Sequence, residues 1–480
     1  MMPIRLPTIS SMATIWMSFA LTLMVSDPLQ AQLFERATVL EGVYLPLADG
    51  AVSEPVTIVI RRGRVTEIGA DVDIPLLSRK IDVKGLFATA GLMDPSSNLT
   101  LGSASSGNPV HSAWDGFDRY DSDSIRAAIA SGVTRIQLQP SGPGGIVGRV
   151  SSISLSPRED GGYGVLEKED VALCIDLDQG GSLERIRTFD KVRAAFLSAQ
   201  NRLEAQDEYS TDLEEYIEAL AKAAEKKAKE GDEKDEKKDE KKDEKKDEKK
   251  DEKKDEKKDE KKDEKKDDAE KKKDDKKDDD GPKKPSRPDR DPGGDILLQV
   301  LEHKLPVRIV ARRSEDILNA IELAQEFEFG FQLQGADEAH LVLDALDGVE
   351  GLSVLLDVPQ RSLTRGSAPR RSSDLIGMLE QAGIPWAVGS GGESTSFWRA
   401  VRTISGQAGI EAALDVAIAA APPQPRRRRG SASNWLRRGA SDLILWEGNP
   451  ATDAAARPNR VIIDGTVVWQ RPAGTREGSF

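Results

Sequence analysis

The residues with the clearest capacity for chemistry follow a short apolar run near position 90. Ala88 to Met93, broken by Gly91, predicts a strand that enters the core of an α/β barrel, and Asp94, Ser96 and Asn98 come directly after it. Catalytic groups of such barrels lie at the carboxyl ends of the strands. We therefore expect this segment to contribute to a site at a barrel mouth, with Asp94 as a candidate catalytic carboxylate.

Residues that bind metals through nitrogen or sulfur are scarce. The 480 residues include three histidines, His111, His303 and His340, none at the carboxyl end of a predicted core strand. Bound zinc lowers the pKa of water from about 16 to about 7. By the pKa-to-energy conversion, a site without zinc loses on the order of 12 kcal/mol in the availability of hydroxide at neutral pH. The single cysteine, Cys174, excludes a disulfide within the chain, and its apolar setting predicts a buried strand residue rather than a nucleophile.

Three other motifs have simpler interpretations than catalysis. The acidic loop from Asp115 to Asp123 could hold Ca²⁺, but its spacing is not that of an EF-hand, and Ser122 and Asp123 also predict a helix cap. The glycine-rich run 142–148 lacks the Lys-Ser/Thr of a phosphate loop, which favours a turn. Ser390 and Ser394 are not in a nucleophile elbow and favour a rim loop.

Alternating strand and helix signals run through the centre of the chain. A helix is predicted from Ser122 to Ser131 and a strand in the following run TRIQLQ, and four later strands are each followed by a helix. These strands are 305–311, 331–333, 352–356 and 385–388, with helices at 314–326 and from Asp337, Ser373 and Phe397. Such repeated units predict a parallel sheet that closes into a barrel, although the pattern does not identify individual strands within 151–204.

Both ends of the chain have the pattern of a β domain. Short apolar strands and glycine turns fill residues 37–83, and two further strand runs follow residue 441, with a hairpin turn at Asp464-Gly465. The two ends therefore predict the halves of one β sandwich.

Three segments of the chain resemble the amidohydrolase superfamily, the metal-dependent hydrolases typified by imidazolonepropionase and dihydroorotase. Gly91 to Asp94 is similar to the Gly-Leu-Ile-Asp that opens the family's barrel, Pro306 to Ile317 to the run PVRIHAHRADDI, and Ala440 to Pro450 to the run ADLVLWDGDP. The resemblance implies a TIM-like (β/α)8 barrel of the metal-dependent hydrolase type with a composite β sandwich. It also implies hydrolysis of C–N bonds other than peptide bonds, often in cyclic amides, with zinc or another divalent metal.

Every metal-ligand position that the resemblance aligns holds a residue that cannot perform that role. Two ligand positions of the first strand, two of a later strand, one of the next strand and the final aspartate position are occupied here by Ser96, Asn98, Val310, Arg312, Gly335 and Gly391. We therefore predict no metal site and no other cofactor.

Two functions remain open from the sequence. The first is a catalytically degenerate protein that binds a small-molecule ligand or assembles with an active amidohydrolase paralogue or with a second copy of itself. The second is a hydrolase with a non-standard site at the barrel mouth, built from Asp94, Ser96, Asn98, Arg312 and Asp337.

A charged tract interrupts the barrel pattern. The tetrapeptide DEKK repeats without error from Asp235 to Lys266. This period places like charges at every i,i+4 spacing, and each such pair costs a helix a few tenths of a kcal/mol. We expect a disordered insert with at most transient helix, a solvated spacer rather than a binding polyelectrolyte, although the helical pattern of 182–225 leads into it.

The pattern as a whole divides the chain into six segments. They are a signal peptide (1–31), the first half of the sandwich (32–86), the first part of the barrel (87–224), the charged insert (225–292), the second part of the barrel (293–422), and a basic linker with the second half of the sandwich (423–480).

The net charge and the amino-terminal segment indicate the localisation of the protein and the class of its partners. The net charge of −14 gives no basic field for nucleic acid. Arg5 before an apolar segment and Ala31 near a cleavage point predict export to the periplasm or outside the cell, with a retained membrane anchor as the alternative and no membrane span after cleavage. The arginines 426–429, 437 and 438 predict a solvated loop or a contact with an acidic partner or the insert.

Overall fold

The computed structural model describes residues 37–47, 51–102, 107–179, 181–239, 283–357, 371–408, 440–453 and 455–472. The predicted signal peptide, the basic cluster and most of the DEKK repeat lie outside these ranges. Within them no helix combines the length and the apolar composition needed to cross a membrane. The chain divides into two compact units, one formed by residues up to Leu197 and from Pro292 onward, and the other by Ser198–Asp291.

A four-stranded sheet begins the first unit. Its strands are β1 (Thr38–Val43), β2 (Val56–Arg61), β3 (Arg64–Gly69) and β4 (Arg79–Asp82), in the order β3-β2-β1-β4. β1 is antiparallel to β2 and parallel to β4. Leu40 and Ile58 are fully buried, so one face of this sheet forms a core.

The predicted strand Ala88–Met93 is in fact two strands in different sheets. β5 (Phe87–Ala90) and β6 (Leu92–Ser97) are separated by Gly91. A Cβ at Gly91 would lie 2.2 Å from Oγ1 of Thr134, so only glycine fits at this crossing. The prediction that Asp94 follows the strand is also wrong, because β6 continues to Ser97 and buries Asp94 completely.

Eight strands form the barrel, which confirms the predicted TIM-like fold. After β6 they are β7 (Val133–Leu138), β8 (Gly145–Pro157), β9 (Tyr163–Asp176), β10 (Val307–Ala311), β11 (Phe331–Gly335), β12 (Ser353–Asp357) and β13 (Trp386–Gly389), each paired with the next. A bridge between Ser97 and Gly392 brings the two edges together.

One barrel strand runs against the others. β8 is antiparallel to both β7 and β9, whereas all other neighbouring strands are parallel. Residues 139–144, which join β7 to β8, are too few for the crossover that a parallel pair requires. The long β8–β9 hairpin occupies the part of 151–204 where the sequence did not identify strands.

The helices of the described ranges follow most of the predictions. They are α1 (Ser122–Ala130), α2 (Ser182–Asp239), α3 (Pro292–Leu301), α4 (Ser314–Glu326), α5 (Leu343–Leu346), α6 (Leu375–Gln381) and α7 (Phe397–Ala408), with 3-10 turns at Ala113–Gly116, Ala339–Leu341 and Ser394–Ser396. The predicted α1, α4 and α7 are confirmed, and α6 begins two residues after the predicted Ser373.

Two helix starts differ from prediction. No regular helix begins at Asp337, because its carboxylate binds two arginines and a 3-10 turn follows it. The cap of α1 is Asp121, which accepts a hydrogen bond from the Ser124 amide at 3.2 Å, and not Ser122 or Asp123. One aspartate of the acidic loop therefore stabilises the amino terminus of α1.

Helix α2 enters the charged tract. It continues to Asp239, five residues into the exact DEKK repeat, which is compatible with the small cost of each like-charge pair. Near its start, Phe196 is fully buried against Phe327 and Phe329, with ring centroids 5.1 and 5.4 Å away. The beginning of α2 is therefore anchored by aromatic packing.

The carboxyl-terminal strands complete the predicted composite sandwich. β14 (Leu443–Glu447), β15 (Arg457–Ile463) and β16 (Thr466–Gln470) form a sheet with β5 in the order β16-β15-β14-β5. One core contains Leu40 and Ile58 of the first sheet and Leu443 and Ile462 of this one. The predicted Asp464-Gly465 turn joins β15 to β16, with φ angles of 49° and 76°.

Candidate functional site at the barrel mouth

Strand β10 places two arginines inside the barrel. Arg308 and Val310 are two residues apart on the strand, and Arg312 follows two residues later, just past its end. Residues at this spacing point to the same face of a strand. Arg308 is completely buried, whereas 18% of the Arg312 side chain is exposed. One guanidinium therefore lies deep in the barrel and the other at its mouth.

The Arg312 guanidinium contacts three carboxylates at once. Its Nε lies 3.1 Å from Asp178 Oδ2, its Nη1 3.3 Å from Asp337 Oδ2, and its Nη2 3.2 Å from Asp357 Oδ2. Burial acts to lower the pKa of Arg312, but Asp357, Asp337 and Asp178 raise it by more. A permanent positive charge therefore lies among carboxylates that follow or end β9, β11 and β12.

Two neighbouring residues fix this arrangement. Gly335 leaves room for the arginine stem, since a Cβ there would lie 2.8 Å from Arg312 Cγ. Arg371 holds Asp337 from the other side, donating from Nε to Asp337 Oδ1 at 2.7 Å and from Nη1 to the Asp357 carbonyl at 2.7 Å. The Asp337 carboxylate is thus held by two arginines, which reduces the cost of burying its charge.

Ser96 connects this cluster to the first barrel strand. Its Oγ donates to Asp357 Oδ1 at 3.0 Å and accepts from the Gly391 amide at 2.9 Å. A Cβ at Gly389 would lie 2.2 Å from Ser96 Oγ, so the absence of a side chain there makes room for the hydroxyl. Only 2% of Ser96 is exposed.

Asp94 lies beneath Ser96 in a set of neutral donors. It accepts from the Ser96 amide at 3.2 Å, the Ser390 amide at 3.0 Å and the Ser394 hydroxyl at 2.6 Å. Burial raises the pKa of Asp94, and the hydrogen bonds from Ser390 and Ser394 oppose that rise. Asp94 therefore ties β6 to the loop after β13, and this carboxylate does not reach the open mouth.

Arg308 binds neutral acceptors on other strands. Its Nε donates to Gln332 Oε1 at 2.9 Å, its Nη1 to the Pro95 carbonyl at 2.6 Å and to Gln139 Oε1 at 3.0 Å, and its Nη2 to Gln137. Burial lowers the pKa of Arg308 to about 10, so it remains charged at neutral pH. It joins β10 to β6, β7 and β11 from inside the barrel.

Two further titratable groups of β9 have shifted pKa values. Burial raises the pKa of Asp176 to about 7. The hydrogen bond from the Asp178 amide opposes this rise, the Asp178 charge adds to it, and the Arg312 charge opposes it. Burial also raises the pKa of the Cys174 thiol to about 12. Cys174 is a buried strand residue as predicted, and the high pKa leaves it without nucleophilic thiolate at neutral pH.

Most of the predicted site residues meet in one network, but two do not. Asp94, Ser96, Arg312 and Asp337 are linked through Asp357, with Gly335 and Gly391 contributing space and an amide. Asn98 is exposed at the rim beside Gly392, and Val310 packs against the buried cluster of Val147, Val150, Val171, Ala172 and Cys174. The alternative hydrolase set is therefore assembled without Asn98.

Sequence reasoning missed several members of the network. Asp357 ends β12 and Asp178 follows β9 by two residues, so their position at the carboxyl ends of strands was the available signal. Arg371 and Gln334 carried no comparable signal, because their roles depend on partners from other strands. The three histidines are not members of this network.

The divalent metal that the resemblance implies does not fit these side chains. A metal held by Asp178, Asp337 and Asp357 would lie beside the guanidinium that already contacts all three. Ser96 and Gly335 supply no imidazole in its place. In the part of the chain that the structure describes, no group of three or more His, Cys, Asp or Glu residues is arranged to hold a metal ion.

Comparison with known proteins supports the fold. No family model matches the chain, and no curated protein does. An amidohydrolase from Thermotoga maritima MSB8 matches over 90% of this chain and 100% of its own, with 18% identity and a TM-score of 0.60. A prolidase complexed with N-methylphosphonate-L-proline has 14% identity over 91% of this chain and 100% of its own, with a TM-score of 0.43. A β-aspartyl dipeptidase from Fervidobacterium islandicum AW-1 has 10% identity over 92% and 99%, with a TM-score of 0.40.

Proposed function

We propose that this chain, which has the amidohydrolase fold, is a catalytically degenerate protein that acts by binding. It holds a small-molecule ligand at the barrel mouth, or it assembles with an active amidohydrolase or with a second copy of itself. It does not hydrolyse C–N bonds by the metal-dependent route.

The observation that carries this proposal is the position of Arg312. Metal-assisted hydrolysis needs a cation with an open coordination position, so that a bound water becomes hydroxide at neutral pH. Here a guanidinium contacts the three carboxylates, one through each of its nitrogens. A guanidinium cannot coordinate and ionise water as a metal does.

Metal content and hydrolysis test the proposal together. The purified protein is analysed by mass spectrometry for metals and then assayed against a panel of cyclic amides and dipeptides, with added Zn²⁺ and with a chelator. We expect less than about 0.1 metal ion per chain and no turnover that depends on Zn²⁺. Stoichiometric metal together with chelator-sensitive turnover would contradict the proposal.

A second candidate function rests on the hydrogen bond between Ser96 and Asp357. A hydroxyl that donates to a carboxylate at 3.0 Å is the start of a nucleophile–base pair, and the Gly391 amide lies 2.9 Å from the same oxygen. Turnover that is insensitive to chelators and abolished in Ser96→Ala would favour this candidate. Because Ser96 is almost completely buried, we consider it the weaker of the two.

The binding role needs its own measurement. Light scattering of the purified protein gives its oligomeric state, and co-purification from the source organism identifies an associated amidohydrolase. A monomer that recovers no partner and no co-purified small molecule would remove the binding role, whatever the outcome of the activity assays.

A further inference from the structure

We infer that Asp178, Asp337 and Asp357 form a latent cation site, which Arg312 fills with its own guanidinium. Removing that side chain would open the site to a free guanidinium ion. This inference deepens the proposed function, because it explains what occupies the place of the missing metal.

The charge pattern supports a site built around a cation. The three carboxylates come from different strands, and each contacts a different nitrogen of one guanidinium at 3.1 to 3.3 Å. Asp357 is completely buried, and the side chain of Asp337 is 6% exposed. Without Arg312, only Arg371 would remain in contact with Asp337, and Asp357 would lose its one side-chain ion pair in the described residues.

A hydrogen-bond acceptor beside the carboxylates is a second feature that favours a ligand with N–H donors. Gln334 is 5% exposed, and its Nε2 donates at 3.0 Å to the same Asp357 oxygen that contacts Arg312. Its Oε1 has no hydrogen-bond partner among the described residues. An amide oxygen accepts hydrogen bonds from N–H groups, so a free guanidinium ion would find this acceptor in addition to the carboxylates.

The space for a free ion is supplied by the arginine itself. Gly335 and the Arg312 stem are packed so closely that a Cβ at Gly335 would lie 2.8 Å from Cγ. Shortening Arg312 to alanine removes both the guanidinium and this stem. The resulting cavity faces the carboxylates that the guanidinium contacted.

Chemical rescue of Arg312→Ala tests the inference. The variant and the wild type are heated in buffer with 20 mM guanidinium chloride, and with NaCl at matched ionic strength. We expect guanidinium to raise the Tm of the variant by about 3–5 °C and to leave the wild type unchanged, because a ligand that binds only the folded state stabilises it. Calorimetry should give one guanidinium ion per chain, and adding Asp178→Asn should weaken binding about tenfold or more.

Arg193→Ala is the matched control. Arg193 donates to both Glu326 oxygens at 2.6 Å, but this pair is exposed and involves a single carboxylate. We expect no response of its Tm to guanidinium. An Arg312→Ala variant that folds and responds no more than Arg193→Ala would overturn the inference, and so would a wild type that binds guanidinium equally well.

Arg312→Met keeps the inference testable where the alanine variant fails to fold. Methionine preserves part of the stem and removes only the charge. Asp178 then keeps Arg185 and Arg313 among its neighbouring charges, Asp337 keeps Arg371, Asp357 keeps Arg308, and Asp176 loses the Arg312 charge. Carboxylates without a counter-charge take up protons more readily in the folded state, so the Tm should rise from pH 8 to pH 5 more steeply than in the wild type. Equal slopes would overturn the inference. Metal found in the wild type would instead contradict the proposed function.

Discussion

At the scale of single residues, the side chains at the barrel mouth are fitted to positions that lack one. Gly335 has no side chain where Arg312 needs space, and Gly389 has none where Ser96 meets Asp357. A side chain at Gly335 would also be strained, because its φ angle is +92°. The arginine and the serine at the barrel mouth therefore occupy space that these two glycines leave free.

Asp176 makes the stability of the barrel depend on pH. Its folded pKa of about 7 lies above the ordinary value of about 4, so the folded state holds a proton that the unfolded state has released. This penalises folding progressively from about pH 4 to pH 7. We expect Asp176→Asn, which keeps the acceptor for the Asp178 amide, to match the wild type at pH 4.5 and to exceed its free energy of unfolding by about 1–3 kcal/mol at pH 8.

Urea denaturation at pH 4.5, 6 and 8 measures this difference. Asp71, which is exposed in the loop after β3, supplies the control, and Asp71→Asn should stay within about 0.5 kcal/mol of the wild type throughout. A difference for Asp176→Asn that does not grow between pH 4.5 and pH 8 would show that Asp176 ionises normally.

At the scale of elements, local pattern was sufficient for most helices and insufficient for the site. The predicted bounds of α4 are those observed, because its apolar residues recur at helical spacing. Ser96 and Asp357, by contrast, are 261 positions apart, and no spacing rule connects them. The prediction of a single strand at 88–93 was wrong for the same reason. The chain is closely approached at Gly91 by Thr134 and Asp442, which are distant in sequence.

The start of α2 is docked through Phe196. This side chain is fully buried against Phe327 and Phe329. Truncating a buried phenylalanine removes its transfer free energy and leaves a cavity, so Phe196→Ala should lower the free energy of unfolding by about 3–5 kcal/mol.

Leu183 provides a control on the same helix. It is 59% exposed, and Leu183→Ala should change the free energy of unfolding by no more than about 0.5 kcal/mol. Chemical denaturation of both variants measures the contrast. Equal effects would mean that the aromatic packing does not anchor the helix.

At the scale of the whole molecule, the two ends of the chain depend on each other. β5 pairs with β14, and the side chains of Leu443, Leu445 and Ile462 are fully buried in the core that Leu40 begins. Burying a side chain of this size contributes about 1.5–3 kcal/mol. The carboxyl-terminal strands therefore supply stabilisation of the same order as the total of about 5–15 kcal/mol expected for a domain.

Removing residues 440–480 should accordingly prevent folding, and not merely lower the free energy of unfolding. The truncation leaves β5 without its neighbour β14 and exposes the apolar face of the first sheet, so we expect the truncated chain to be insoluble. Supplying residues 440–480 as a separate peptide during refolding should restore soluble protein, because the lost contacts are non-covalent. Deletion of 473–480 alone, which removes none of the three strands, is the control and should leave the Tm unchanged. A soluble truncated chain with a cooperative thermal transition would show that the barrel and first sheet fold without the second half of the sandwich, and that the composite core is not required for the fold.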